Sequence, residues 1–228
     1  MDTSPPRRRR DKSKWTDMSN FVLHLTKGGE ASSKAYDNFM GIVGNGQLRP
    51  GPNPFGCLKS VKSLQSTHRS VCFSEIPFGN LERLYERRSF YGIGFAKSLL
   101  QDRGGAPIWY LERGTPAQQA LDDLIAKADA SDPDNPLWKL TPFIDYTNRD
   151  FKSGRPYQFE WEREWRHPGA FNFQPPDVAF LLIPEFHHDD AREFFKSAVA
   201  DNLGPGYFCP YIDVRWGQER SLKALKAG

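Results

Sequence analysis

The stretch Phe159-Glu160-Trp161-Glu162-Arg163-Glu164-Trp165-Arg166 constrains this chain more than any other. Two tryptophans and a phenylalanine recur at period two, the signature of a β-strand. A helix would instead scatter the rings and bring Glu160 and Glu164 together. Read as a strand, one face carries Phe159, Trp161, Arg163 and Trp165, and the other Glu160, Glu162, Glu164 and Arg166. The three carboxylates then stand about 7 Å apart. At an effective dielectric of about 20, neighbours at that spacing repel by about 2.4 kcal/mol. The row is tolerable on a wet sheet edge, where charge discourages aggregation. In a cleft it needs a cation, a metal or hydroxyl donors.

The 228 residues suffice for one sizeable domain. Apolar content is modest, 38 %, but 14 % of the chain is aromatic, including 17 Phe and 6 Trp, enough to build a core on rings. The net charge of +3 is unevenly placed. Residues 1–14 hold six basic and two acidic side chains, Arg7 to Arg10 among them, so this segment is +4 and the rest of the chain −1. Residues 1–15 read as a disordered basic arm suited to touching nucleic acid, or as a solvated leader. The near-neutral body has no other comparable basic run, so its charge does not indicate a large nucleic-acid-binding face. Three cysteines, Cys57, Cys72 and Cys209, without C-x-x-C spacing, fit buried thiols in a reducing compartment, with the cytoplasm as the default. No apolar run is long enough to span a bilayer, and no apolar segment follows the arginines to make a signal peptide.

In chain order, the pattern predicts a strand over 21–26, with His24 and Thr26 on one face and Leu23 and Leu25 on the other. A helix follows over 32–43, stopped by Gly44 and Gly46. A second strand, over 69–74, puts Val71 and Phe73 opposite Cys72 and Ser74. A charged helix is expected over 80–88, a strand over 90–95 whose glycines imply close packing, a short helix over 96–101 and a strand over 107–111. Residues 117–130 form an amphipathic helix with Leu121, Leu124 and Ile125 inward. Residues 131–156 read as an ordered insertion, because Trp138, Phe143 and Tyr146 need burial. A central strand over 178–183, a helix over 189–200, a strand over 211–215 and a basic tail complete the chain. This order is not regular βα alternation. It predicts an α+β fold, one domain over 16–228 with a mixed, split β-sheet core flanked by helices.

No G-x-G-x-x-G, P-loop, H-E-x-x-H or G-x-S-x-G occurs. Glu185 to Asp190 is the one local cluster rich in metal-ligand types. Adjacent residues rarely converge on one ion, and Asp189 and Asp190 suit a helix start, so no metal is assigned. The remaining polar candidates are His24, Thr26, Ser74, Tyr91, Glu162 and Glu164. Each also has a structural account, as a bonded core side chain or a strand-end hydroxyl.

Val71-Cys72-Phe73-Ser74-Glu75-Ile76-Pro77, Tyr91-Gly92-Ile93-Gly94-Phe95 with a short helix and Pro107 to Leu111, and Glu162-Arg163-Glu164-Trp165-Arg166 together resemble the AbiGi-like abortive phage infection family. That family resembles, more distantly, the ADP-ribosyltransferase fold. The likeness covers about residues 71–168, and a His-x-Thr strand followed by a helix extends it to the N-terminal unit. The resemblance implies NAD held between two split sheets. It implies His24, with Thr26 beside it, at the adenosine ribose, and Phe73-Ser74 beside the nicotinamide with Tyr91 stacking. It implies Glu164 as the catalytic residue at the nicotinamide ribose and Glu162 orienting the acceptor. Cleaving the nicotinamide bond develops positive charge on the ribose, which a carboxylate stabilises. The implied function is NAD-dependent ADP-ribosyl transfer to a macromolecule, protein or nucleic acid, in phage defence or a toxin–antitoxin pair. The alternatives are a non-catalytic regulatory or antitoxin module using the same cleft, and a nucleic-acid-associated protein relying on the Arg arm.

Overall fold

A computed structural model describes residues 19–26, 33–52, 68–75, 77–81, 89–132, 134–147 and 163–227, with positions 54, 57, 58, 61 and 64. The basic arm, the helix expected over 80–88 beyond Leu81, and Phe159 to Glu162 lie outside the described residues.

The fold is α+β. A seven-stranded mixed sheet runs in the order β11-β10-β4-β1-β3-β8-β5 among the described residues. Its members are β1 (Phe21–Leu25), β3 (Ser70–Ser74), β4 (Gly92–Ala96), β5 (Ala106–Pro107), β8 (Glu164–Pro168), β10 (Val178–Leu182) and β11 (Tyr211–Ile212). All pairs are antiparallel except β10–β11. Two small ladders flank it: β2 (Gln47–Leu48) with β9 (Phe171–Asn172), and β6 (Trp109–Glu112) parallel to β7 (Ile144–Thr147).

The period-two patterns decide which side chains share a face. Leu23 pairs with Ser74, and Ser74 with Glu164, so these three lie on one side of the sheet. His24, one residue on, points to the other side with Ile93 across the β1–β4 pair. The His24 side carries the aromatic core: Val22, Phe73, Phe95 and Trp165 pack with Phe39 and Val43 of α1 (Ser33–Asn45) and Phe195 of α5 (His188–Ala200). The Leu23 side carries a second cluster with Phe78, Phe180, Ile212 and Val214 near the sheet's β11 edge. Gly94 exists for this packing, because a Cβ there would lie 2.2 Å from the Phe180 ring.

Several expectations are corrected. The strand expected over 107–111 is two strands in different sheets, because the Ile108 N–H bonds the Glu164 carbonyl and the chain then turns onto β7. The short helix expected over 96–101 is α2 (Lys97–Asp102), and the helix over 117–130 is α3 (Pro116–Lys127), capped by the Thr115 hydroxyl; Leu121 is buried, but Leu124 is 57 % exposed. The strand expected over 211–215 stops at Ile212, where Asp213 turns the chain, and the basic tail is a helix, α6 (Gln218–Ala227). The insertion is ordered over its described part. Trp138 of α4 (Pro136–Leu140) and Tyr146 of β7 are buried with Cys57, Leu58, Leu64 and Leu121.

Asp213 holds the C-terminal turn. Its carboxylate accepts the backbone N–H of Glu185 at 2.7 Å, the Arg215 N–H at 2.8 Å and the Arg215 guanidinium. Burial alone raises its pKa, but the Arg215 side chain and these two amides outweigh burial and hold it below the usual Asp value. A depressed folded pKa gives stability that is present above the unfolded value, about 3.9, and lost as pH falls through the folded one. Asp213→Asn should therefore lower the melting temperature at neutral pH, and the gap to wild type should narrow below about pH 4, measured by thermal melts across pH.

Candidate functional site

The acid that anchors the sequence reading is enclosed by partners. Glu164 Oε1 accepts from Arg166 Nε at 2.8 Å, and Oε2 accepts from the Tyr110 hydroxyl at 3.1 Å. Arg166 is 1 % exposed. Its Nη1 donates to the Pro142 carbonyl at 3.1 Å and its Nη2 to Asp145 Oδ2 at 2.5 Å. The remaining Asp145 oxygen accepts the Tyr146 N–H at 2.8 Å. A guanidinium thus sits between two carboxylates and joins β8 to the β6–β7 layer. Burial alone pulls the Arg166 pKa down, but Glu164 foremost, with Cys72 and Asp145, holds it above its ordinary value. Burial and then the Glu164 carboxylate push the thiol of Cys72 and the phenol of Tyr110 up, so both stay protonated. Burial, with Asp145 next, pushes the Cys57 thiol up to about 12. The three cysteines are free, and none has the depressed pKa of a nucleophile.

Glu164 therefore stands neither on a wet edge nor as a bare acid in a cleft. Arg163 has φ +43°, so extended backbone does not run unbroken through it, and the alternation cannot be carried from Glu164 back to Glu162. Glu162 itself lies outside the described residues.

The residues expected around NAD divide between the two sides of the sheet. Ser74 lies directly across the ladder from Glu164. His24, Thr26, Phe73 and Tyr91 lie on the opposite side. His24 Nδ1 is 2.9 Å from the Cys72 carbonyl oxygen, and its ring meets the Phe73 ring edge-on at 5.9 Å. Thr26 is buried, its hydroxyl within hydrogen-bond distance of the Ala35 and Tyr91 carbonyls and the Ser89 hydroxyl. Phe73 is core, stacked edge-on against Phe95 and Phe171. Tyr91 packs on Phe39 and Tyr36 and lines a cavity between α1 and α5. The four residues on the His24 side and the Ser74–Glu164 pair are thus separated by the sheet itself.

Two other polar centres are engaged. Buried Glu75 accepts from Lys97 Nζ at 2.8 Å and from Trp165 Nε1 at 2.9 Å. Glu185 accepts from Trp216 Nε1 at 2.9 Å and pairs with Arg220, while His188 Nε2 lies 2.9 Å from the Ile183 carbonyl oxygen. Among the described residues, no three His, Cys, Asp or Glu side chains converge as a metal site would require. No helix among them is long and apolar enough to cross a membrane.

Sequence reasoning placed Arg166 beside the acids but missed Asp145 and Tyr110. The signal for Asp145 was present: an acid inside the apolar run Phe143-Ile144-Asp145-Tyr146 must find a buried cation. Comparison with family models, with curated proteins and with solved structures gives no match.

Proposed function

We propose that this chain is a non-catalytic binding module of phage-defence type, a regulatory or antitoxin partner built on an ADP-ribosyltransferase-like frame. The observation that carries the reading is the opposition of His24 and Glu164, which point to different sides of one sheet. An NAD molecule gripped by both would have to pass through the β1–β3 pair. The engagement of both Glu164 oxygens supports the same reading, since stabilising a ribosyl cation needs a carboxylate whose charge is not already matched. The place in phage defence rests on the resemblance of residues 71–168.

A second reading, NAD-dependent ADP-ribosyl transfer with Glu164 as catalytic residue, draws support from Ser74 facing Glu164 across the β3–β8 ladder. One assay separates the two. Release of nicotinamide from NAD, with protein and nucleic-acid acceptors supplied, should stay at the buffer rate for wild type and for Glu164→Gln alike. Turnover by wild type that falls by orders of magnitude in Glu164→Gln would establish transfer instead.

A further inference from the structure

The cavity between α1 and α5 has a volume of about 620 Å³ and belongs to neither the Arg166 cluster nor the Ser74–Glu164 pair. Its size is that of a small-molecule site. Five rings contribute to its wall: Tyr36, Phe39, Tyr91, Phe194 and Phe195. Tyr36 meets Tyr91 edge-on at 5.6 Å, and Phe194 meets Phe195 edge-on at 5.4 Å. Tyr36 and Phe194 remain 46 % and 52 % exposed, although both are large and largely apolar.

The charge pattern narrows the ligand. Among the described residues of the wall, Asp190 carries the one fixed charge, and no Lys or Arg lines it. His187 Nδ1 lies 3.9 Å from the Asp190 carboxylate, whose side chain is 86 % exposed. An anionic ligand meets no Lys or Arg among the described residues of the wall. A neutral hydrocarbon would use the rings but not the acid. A cation uses both, because ring faces carry the negative end of the aromatic quadrupole and the rim carries a carboxylate.

We propose that this cavity binds an organic cation, a quaternary or substituted ammonium group carried on an apolar body. The site is independent of the NAD reading, which it meets only at Tyr91.

The test is a titration of the full-length protein with choline and, separately, with its uncharged carbon isostere 3,3-dimethylbutan-1-ol, followed by amide chemical shifts. The two probes match in shape, so their difference isolates the charge. Choline should bind about tenfold tighter, with shifts centred on α1 and α5. Asp190→Asn and Phe194→Ala alter exposed positions and should leave the fold intact, checked by circular dichroism. Each should weaken choline several-fold and leave the isostere nearly unchanged for Asp190→Asn. Equal affinity for the two probes, absence of saturable shifts with choline, or choline binding unchanged in both variants would overturn the proposal.

Discussion

Arg166→Met should be the most damaging single substitution near Glu164, lowering the unfolding free energy by about 3–5 kcal/mol. Methionine fills much of the same volume, so packing is not what is lost. What is lost is the charge that lies between Glu164 and Asp145, with both guanidinium edges bonded and the side chain 1 % exposed. Two carboxylates and the Pro142 carbonyl would be left buried without their donor. A typical domain is stable by only about 5–15 kcal/mol, so the variant should be largely unfolded at moderate urea. Replacing the acids as well, as Glu164→Gln and Asp145→Asn in the Arg166→Met background, should recover part of the loss, because the uncompensated charges disappear. Urea denaturation of the three proteins measures both effects. A loss under about 1 kcal/mol for Arg166→Met would mean that water reaches the cluster.

Phe95→Ala should cost a comparable amount, about 3–5 kcal/mol, for a different reason. Phe95 is fully buried on the His24 side of β4, with ring centroids of Phe171, Phe173 and Phe73 at 5.1, 5.2 and 6.0 Å. Those neighbours come from two separate stretches of chain, β3 and the segment from Phe171 to Phe173, so they cannot close on the space together. The loss is therefore transfer free energy plus a residual cavity. Phe95→Leu, which keeps most of the volume, should lose clearly less, and the comparison by denaturation separates the two contributions.

The two substitutions divide the fold into what a sequence shows and what it hides. The core face of β3 was legible because Val71 and Phe73 recur at period two, whereas on β1 the alternation separated His24 from Leu23 without showing that the aromatic core lies on the His24 side. The faces assigned to His24 against Leu23, and to Phe73 against Ser74, follow from the same alternation. The ladders β2–β9 and β6–β7 were not legible. Two-residue strands carry no period, and Gln47 finds Asn172 only through a distant register. The break between Pro107 and Trp109 was hidden for a related reason: one backbone hydrogen bond from Ile108 to Glu164 sends an apparently uniform apolar run into two sheets. Leu124 fits the apolar stripe of α3 yet meets solvent, because what lies against a helix face is a property of the tertiary fold.

The site was harder still. The sequence offered Glu164 as a reactive acid, and Arg166 two residues along the same face was already its closest neighbour in a strand. Asp145, which completes the cluster, lies twenty-one residues away from Arg166 along the chain. Which side of the sheet a residue occupies can be read from one strand. Whether residues on different strands share that side depends on register, and register puts Leu23, not His24, in line with Ser74 and Glu164.

The division of the sheet can be tested most directly by titrating isotope-labelled protein with NAD and following the amides of β1, β3 and β8. The account predicts that no saturable shift links His24 on one side to Glu164 and Arg166 on the other. Saturable shifts at His24 and at Glu164 with one common affinity would contradict it, since they would require both side chains to hold the same dinucleotide.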